Sequence, residues 1–111
     1  MRRTLVAAAS AALLIVAVPA YAATTPTYKG TVGPGFTIAM AKKPKKAGKI
    51  KLTVSDKSDF HNFHLRGPGV NVKTSVSAVG SKTFTVTLKK GTYRFVCDPH
   101  ASQMKGSFKI T

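Results

Sequence analysis

Apolar and polar residues alternate with a period of two along most of this chain, the spacing that turns one face of a β-strand into a core and the other toward water. Ile50, Leu52 and Val54 alternate with Lys51, Thr53 and Ser55, and Phe84, Val86 and Leu88 with Thr83, Thr85 and Thr87. Tyr93, Phe95 and Cys97 alternate with Arg94 and Val96, and Phe108 and Ile110 with Ser107, Lys109 and Thr111. Further strands are predicted over Tyr28–Val32, Phe36–Met40 and His61–Leu65. Turn residues separate the runs at Gly33-Pro34-Gly35, Lys46–Gly48, Gly67-Pro68-Gly69, Val79-Gly80-Ser81 and Lys89–Gly91. Beyond the N-terminal segment, no window spaces apolar residues for a helical face. The pattern predicts an all-β sandwich of two antiparallel sheets built from about seven short strands.

The N-terminal segment has a different design. Arg2 and Arg3 precede an apolar run from Leu5 to Val18, followed by Pro19 and an Ala20-Tyr21-Ala22 cleavage pattern. This is the three-part layout of a secretory signal, and the run is shorter than the roughly 20 residues a bilayer crossing needs. Cleavage is expected after Ala22, so residues 1–22 form the signal. A small, polar and flexible lead over 23–27 and one domain over 28–111 follow. The remainder is long enough for one small core and too short for two. The expected location is outside the cytoplasm, secreted or held in the cell envelope on its periplasmic or extracellular side.

Export makes the cysteine count informative. Small exported domains usually carry disulfides, yet Cys97 stands alone and cannot form one internally. It is a buried apolar residue, an intermolecular crosslink, a reactive thiol or a metal ligand, and its neighbours point to the last. His100 and Met104 follow within eight residues of it, on a loop that leaves a strand. Cys97 shares parity with Tyr93 and Phe95, which aims its sulfur into one end of the sandwich. A thiolate, an imidazole and a thioether suit copper, and a two-His, one-Cys plane with a weak axial thioether describes a blue-copper electron-transfer site. The second imidazole must come from His61 or His64. Parity places His61 with apolar Phe63 and Leu65 and leaves His64 facing solvent, so His61 is the expected ligand. Met40 is expected in the core, Asp98 as a solvated loop acid, and Pro99 as a stiffener of the loop that carries His100.

The pair His61-Asn62, together with Tyr93-x-Phe95-x-Cys97-x-Pro99-His100 and then Met104, resembles the cupredoxins of the plastocyanin and azurin kind. The resemblance implies a Greek-key sandwich and one copper ion cycling between Cu(I) and Cu(II). It implies His61, Cys97, His100 and Met104 as ligands and Asn62 as an amide that ties the two ligand loops together. Three residues separate His100 from Met104, whereas plastocyanins usually place four there and azurins place three after a longer cysteine-to-histidine stretch. The resemblance also implies that the ring edge of His100 is the exit for electrons, with Pro34, Pro68, Val70, Pro99 and Ala101 around it.

Charge narrows the partners without bearing on the fold. The formal net charge is +15, and the only acids are Asp56, Asp59 and Asp98. Lys42, Lys43, Lys45, Lys46 and Lys49 form a basic loop around Pro44, expected to steer an acidic redox protein or to meet an anionic envelope surface. Nucleic acid is set aside because the chain is exported and its aromatics fall at buried positions. An enzyme is also set aside: Cys97 lies on an apolar parity, no oxyanion-hole segment is present, and the extra histidines of multicopper oxidases are missing. The sequence predicts a monomeric carrier of single electrons. The alternative is a copper-binding protein that stores or delivers the metal without a redox partner.

Overall fold

The computed structural model describes residues 24–111. The expected signal over 1–22 and its cleavage site lie outside the described residues.

Eight strands form two four-stranded sheets. The first holds β1 (Thr27–Val32), β2 (Ile38–Met40), β3 (Gly48–Asp56) and β6 (Gly80–Leu88) in the order β2-β1-β3-β6. The second holds β4 (His64–Gly67), β5 (Val70–Lys73), β7 (Gly91–Val96) and β8 (Lys105–Ile110) in the order β5-β4-β7-β8. All pairs are antiparallel except β1 and β3, which run parallel with Thr27 opposite Lys51 and Val32 opposite Asp56. One pair thus departs from the antiparallel expectation, because the loop after β2 returns the chain to the far side of β1.

The alternating residues meet as expected. Ile50, Leu52 and Val54 face Leu65, Tyr93, Phe95 and Ile110 in one buried cluster, which also contains Met40 and Cys97. Phe63 stacks on Phe95, and Tyr93 on Phe108, with centroids 5.3 and 5.2 Å apart. Burial of this many large side chains supplies most of the driving force for folding, at roughly 1.5–3 kcal/mol each. Tyr93 ends in a hydroxyl that donates to Pro68 O and accepts from Lys89 N, so its polar tip is satisfied where the ring is not exposed.

One strand is absent from the sequence pattern, and two expected strands are drawn differently. β5 (Val70–Lys73) went unread because Val70 and Val72 alone carry its alternation. Only Ile38–Met40 of the run beginning at Phe36 pairs, since the Gly33-Pro34-Gly35 turn spends the preceding residues on reversing direction. In the His61–Leu65 run, pairing starts at His64. The first three residues form a connection whose bonds go to Thr74: Phe63 N donates to its Oγ1, and Thr74 N donates to Phe63 O. The lead expected to be flexible to residue 27 is fastened earlier, with Thr27 opening β1 and Pro26 O accepting from Lys51 N.

Strand direction gives the sandwich two distinct poles. The ends of β1, β3 and β7, the connection before β4 and the start of β8 lie at one pole; the β2–β3 loop, the β6–β7 turn and the end of β8 lie at the other.

Candidate metal centre

Two loops at the first pole bring the donors together. Beyond β7, Cys97 remains extended and is followed by a single 3-10 turn, Asp98–His100, with Pro99 in its first positions. Pro99 lacks an N–H and favours the φ a turn needs. His100 N donates to Cys97 O, Met104 N to His100 O, and Cys97 N to Met104 O. These bonds close the loop on itself and carry buried Met104 back over the end of the core.

The second loop brings in His61. Its Nδ1 lies 3.1 Å from His100 Nδ1 and 3.7 Å from Cys97 Sγ, and the sulfur is 3.5 Å from His100 Nδ1. Three donors at these separations lie on a circle of radius about 2.0 Å, close to the roughly 2.0–2.1 Å and 2.3 Å at which imidazole and thiolate hold a zinc-sized ion. The gap at the centre is therefore the size of a first-row metal ion. Among the described residues, no fourth His, Cys, Asp or Glu joins the group. Cys97 and His61 are fully buried, and His100 is partly exposed. One soft thiolate, two imidazoles and a methionine-bearing loop fit a single copper ion.

Asn62 fixes the two loops relative to each other. Its Oδ1 accepts from Asp98 N at 2.7 Å, and its Nδ2 donates to Asp98 Oδ2 at 2.8 Å and to Thr74 O at 3.3 Å. Its backbone N–H donates to Cys97 Sγ, 3.5 Å away, a third contact between the two loops. The expected tie between ligand loops is thus present, and it engages Asp98 in place of a second loop's backbone alone.

Two sequence expectations are corrected here. His64 does not face solvent: it is buried, with Nδ1 2.8 Å from Asp98 Oδ1 and Nε2 2.6 Å from Asn71 Oδ1. Parity failed because residues 61–63 precede the paired strand, and His61 through Leu65 are all buried. Asp98 is likewise more than a solvated loop acid. Partial burial pushes its carboxyl up, but hydrogen bonds from Asn62 and His64 and the charges of His64 and Lys73 together hold it below the ordinary carboxylate range.

The surface over the site also differs from expectation. Pro34, Pro99 and Ala101 lie at this pole and are exposed, but Pro68 and Val70 belong to the β4–β5 turn at the other end. Two phenylalanines take their place. Phe36 stands edge-on to His100 at 4.9 Å and to His61 at 5.3 Å, and Phe60 lies 4.2 Å from His61 and 6.3 Å from His100. Both are about half exposed, at 55% and 45%. Strand periodicity could not find them, because each sits in a turn. Gly33 makes room for the arrangement: its φ is +69°, and a Cβ there would meet Ser58 Oγ and crowd the His61 ring.

A family model described as a cupredoxin-like domain matches residues 6–109. The chain belongs to the cupredoxin-like family. Among solved structures, reduced rusticyanin is similar at 26% identity over 82% of each chain, with a TM-score of 0.61. Auracyanin from the photosynthetic bacterium Roseiflexus castenholzii aligns at 22% identity over 79% of this chain and 98% of its own, with a TM-score of 0.55. No curated protein sequence matched. The expected two-sheet cupredoxin architecture is therefore the observed one, with eight strands.

The basic loop is the last sequence feature to be placed. All five of its lysines are exposed, but the loop joins β2 to β3 at the pole opposite the donors of this cupredoxin-like domain.

Proposed function

We propose that this protein is an exported type 1 copper protein that carries single electrons between redox partners. His61, Cys97, His100 and Met104 would hold the ion. The observation that carries the reading is the convergence of a buried thiol and two imidazole Nδ1 atoms on one metal-sized gap. The likeness to rusticyanin, a copper protein, supports it. Copper supplies the one-electron change when bound.

What the chain supplies is constancy. Cys97 N donates to Met104 O and Met104 N to His100 O, and Asn62 locks the His61 connection to the Cys97 loop. Two half-exposed aromatic rings screen the histidines from water without enclosing them. Donors held this way need little movement between oxidation states. The burial of Cys97 and His61 also disfavours rapid metal exchange, which argues against a delivery role.

Titration of the purified protein with Cu(II) tests the reading. One equivalent should produce an intense visible thiolate-to-copper absorption band, which Cys97→Ser abolishes. The loaded protein should be reduced by a small electron donor much faster than a chelator removes its copper. A colourless product, or copper loss that outruns reduction, would overturn the electron-carrier proposal.

A further inference from the structure

All three acidic side chains lie at the metal pole. Asp56 ends β3, Asp59 precedes Phe60 and His61, and Asp98 follows Cys97. Lys57, Lys73, Lys82 and Lys105 lie at the same pole and leave it close to neutral. At the other pole the lysines have no acidic side chain among them. Lys42, Lys43, Lys45, Lys46 and Lys49 line an open cleft of about 670 Å³ with Pro26, Tyr28 and Ile50, and Lys89 and Lys90 extend the basic surface along the β6–β7 turn. β3 separates the poles by its nine residues, about 26 Å at strand rise. The molecule is therefore a charge dipole with its donors at the uncharged end.

We propose that the lysine pole docks on an anionic, phosphate-bearing bilayer surface and presents the metal pole to solution. The lysines are compact point charges on flexible stems, suited to a diffuse field of headgroups, whereas the fork of arginine suits bidentate recognition of one carboxylate or phosphate. Both described arginines, Arg66 and Arg94, pair across β4 and β7, away from the cleft. Several lysines within reach of an anionic leaflet add their attractions to its negative surface potential. The inference rests on the export reading, and on the copper reading only for what the outward pole presents.

Co-sedimentation with vesicles tests it without copper. Vesicles of phosphatidylcholine with one-third phosphatidylglycerol should retain the protein, and pure phosphatidylcholine should not. Lys42→Gln, Lys45→Gln, Lys46→Gln and Lys49→Gln combined should weaken binding about tenfold or more. Lys43 is kept because its Nζ lies 5.9 Å from the Phe95 ring. Lys57→Gln, Lys73→Gln and Lys82→Gln combined, at the metal pole, should change binding less than about twofold. Equal losses in both variants, or no preference for phosphatidylglycerol, would overturn the proposal. So would tighter binding to soluble polyglutamate than to the vesicles, which would assign the pole to an acidic protein. If copper loading fails while vesicle binding behaves as expected, only the electron-transfer reading falls.

Discussion

Asn62 and Asp98 are joined twice, the Asn62 carbonyl accepting from the Asp98 backbone N–H and the Asn62 amide donating to the Asp98 carboxylate, at 2.7 and 2.8 Å. This pair is the mechanical link between the loop that brings His61 and the loop that brings Cys97 and His100.

Cutting that link should loosen the site and lower stability together. Asn62→Ala removes both bonds and the one to Thr74 O, and it leaves a buried carbonyl without its partner. At about 1 kcal/mol per neutral bond and more for the charged one, the expected cost is about 2–4 kcal/mol. Urea unfolding of the copper-free protein measures it: the midpoint should fall with the slope unchanged. A loss below about 0.5 kcal/mol would mean the loops are fixed by other contacts.

The same pair gives the protein an acid limb. In the folded chain the Asp98 carboxyl lies below its ordinary value of 3.8, because its bonds to Asn62 and His64 outweigh the effect of burial. Its contribution to stability is thus complete above the ordinary value and is lost as pH falls through the lower, folded one. Asp98→Asn should be less stable than the parent at pH 7, and the gap should close as pH falls below the ordinary value of 3.8. Chemical denaturation of the copper-free proteins at these pH values checks the sign, and a gap that widens in acid would contradict it.

Much of this was legible in the chain, and the exceptions share a cause. Ile50, Leu52, Val54, Tyr93, Phe95 and Ile110 are buried where their parity puts them, because a strand's periodicity is local and its burial follows directly. Cys97, His100 and His61 meet as their types and order suggested. Apart from β5, what sequence missed involves how the loops close. His64 and Asp98 satisfy each other across 34 positions, Phe36 and Phe60 cover the histidines from two separate loops, and the lysine loop occupies the pole opposite the donors. Each depends on how loops close in three dimensions, and residue spacing carries no record of that.

The aromatic cover has a measurable consequence. Phe36 and Phe60 are half exposed and contribute little to the main core, so replacing both with alanine should leave most of the fold's stability intact. The histidine rings beneath would become accessible to water and small molecules, and the apolar shell around a metal governs that access. A chelator should therefore extract copper from Phe36→Ala/Phe60→Ala several-fold faster than from the parent, while the visible band keeps its position. An unchanged extraction rate would show that escape of the ion is limited by movement of the ligand loops.

Asp56 should show the opposite sign to Asp98. It is buried at the end of β3 with Ser58 N donating to one carboxylate oxygen and the other oxygen without a partner. Burial raises its carboxyl above 3.8, and the bond from Ser58 and the nearby His61 only partly oppose this. A raised folded value means that the stabilising contribution exists below the ordinary value and disappears as pH rises through the folded one, so at pH 7 the ionised group is a burden. Asp56→Asn keeps an oxygen for the Ser58 N–H and removes the charge. It should match or exceed the parent's melting temperature at pH 7 and lose that advantage near pH 3, as read by calorimetry of the copper-free protein. Should Asp56→Asn instead melt well below the parent at pH 7, the ionised carboxylate has a partner at the metal pole that outweighs its burial.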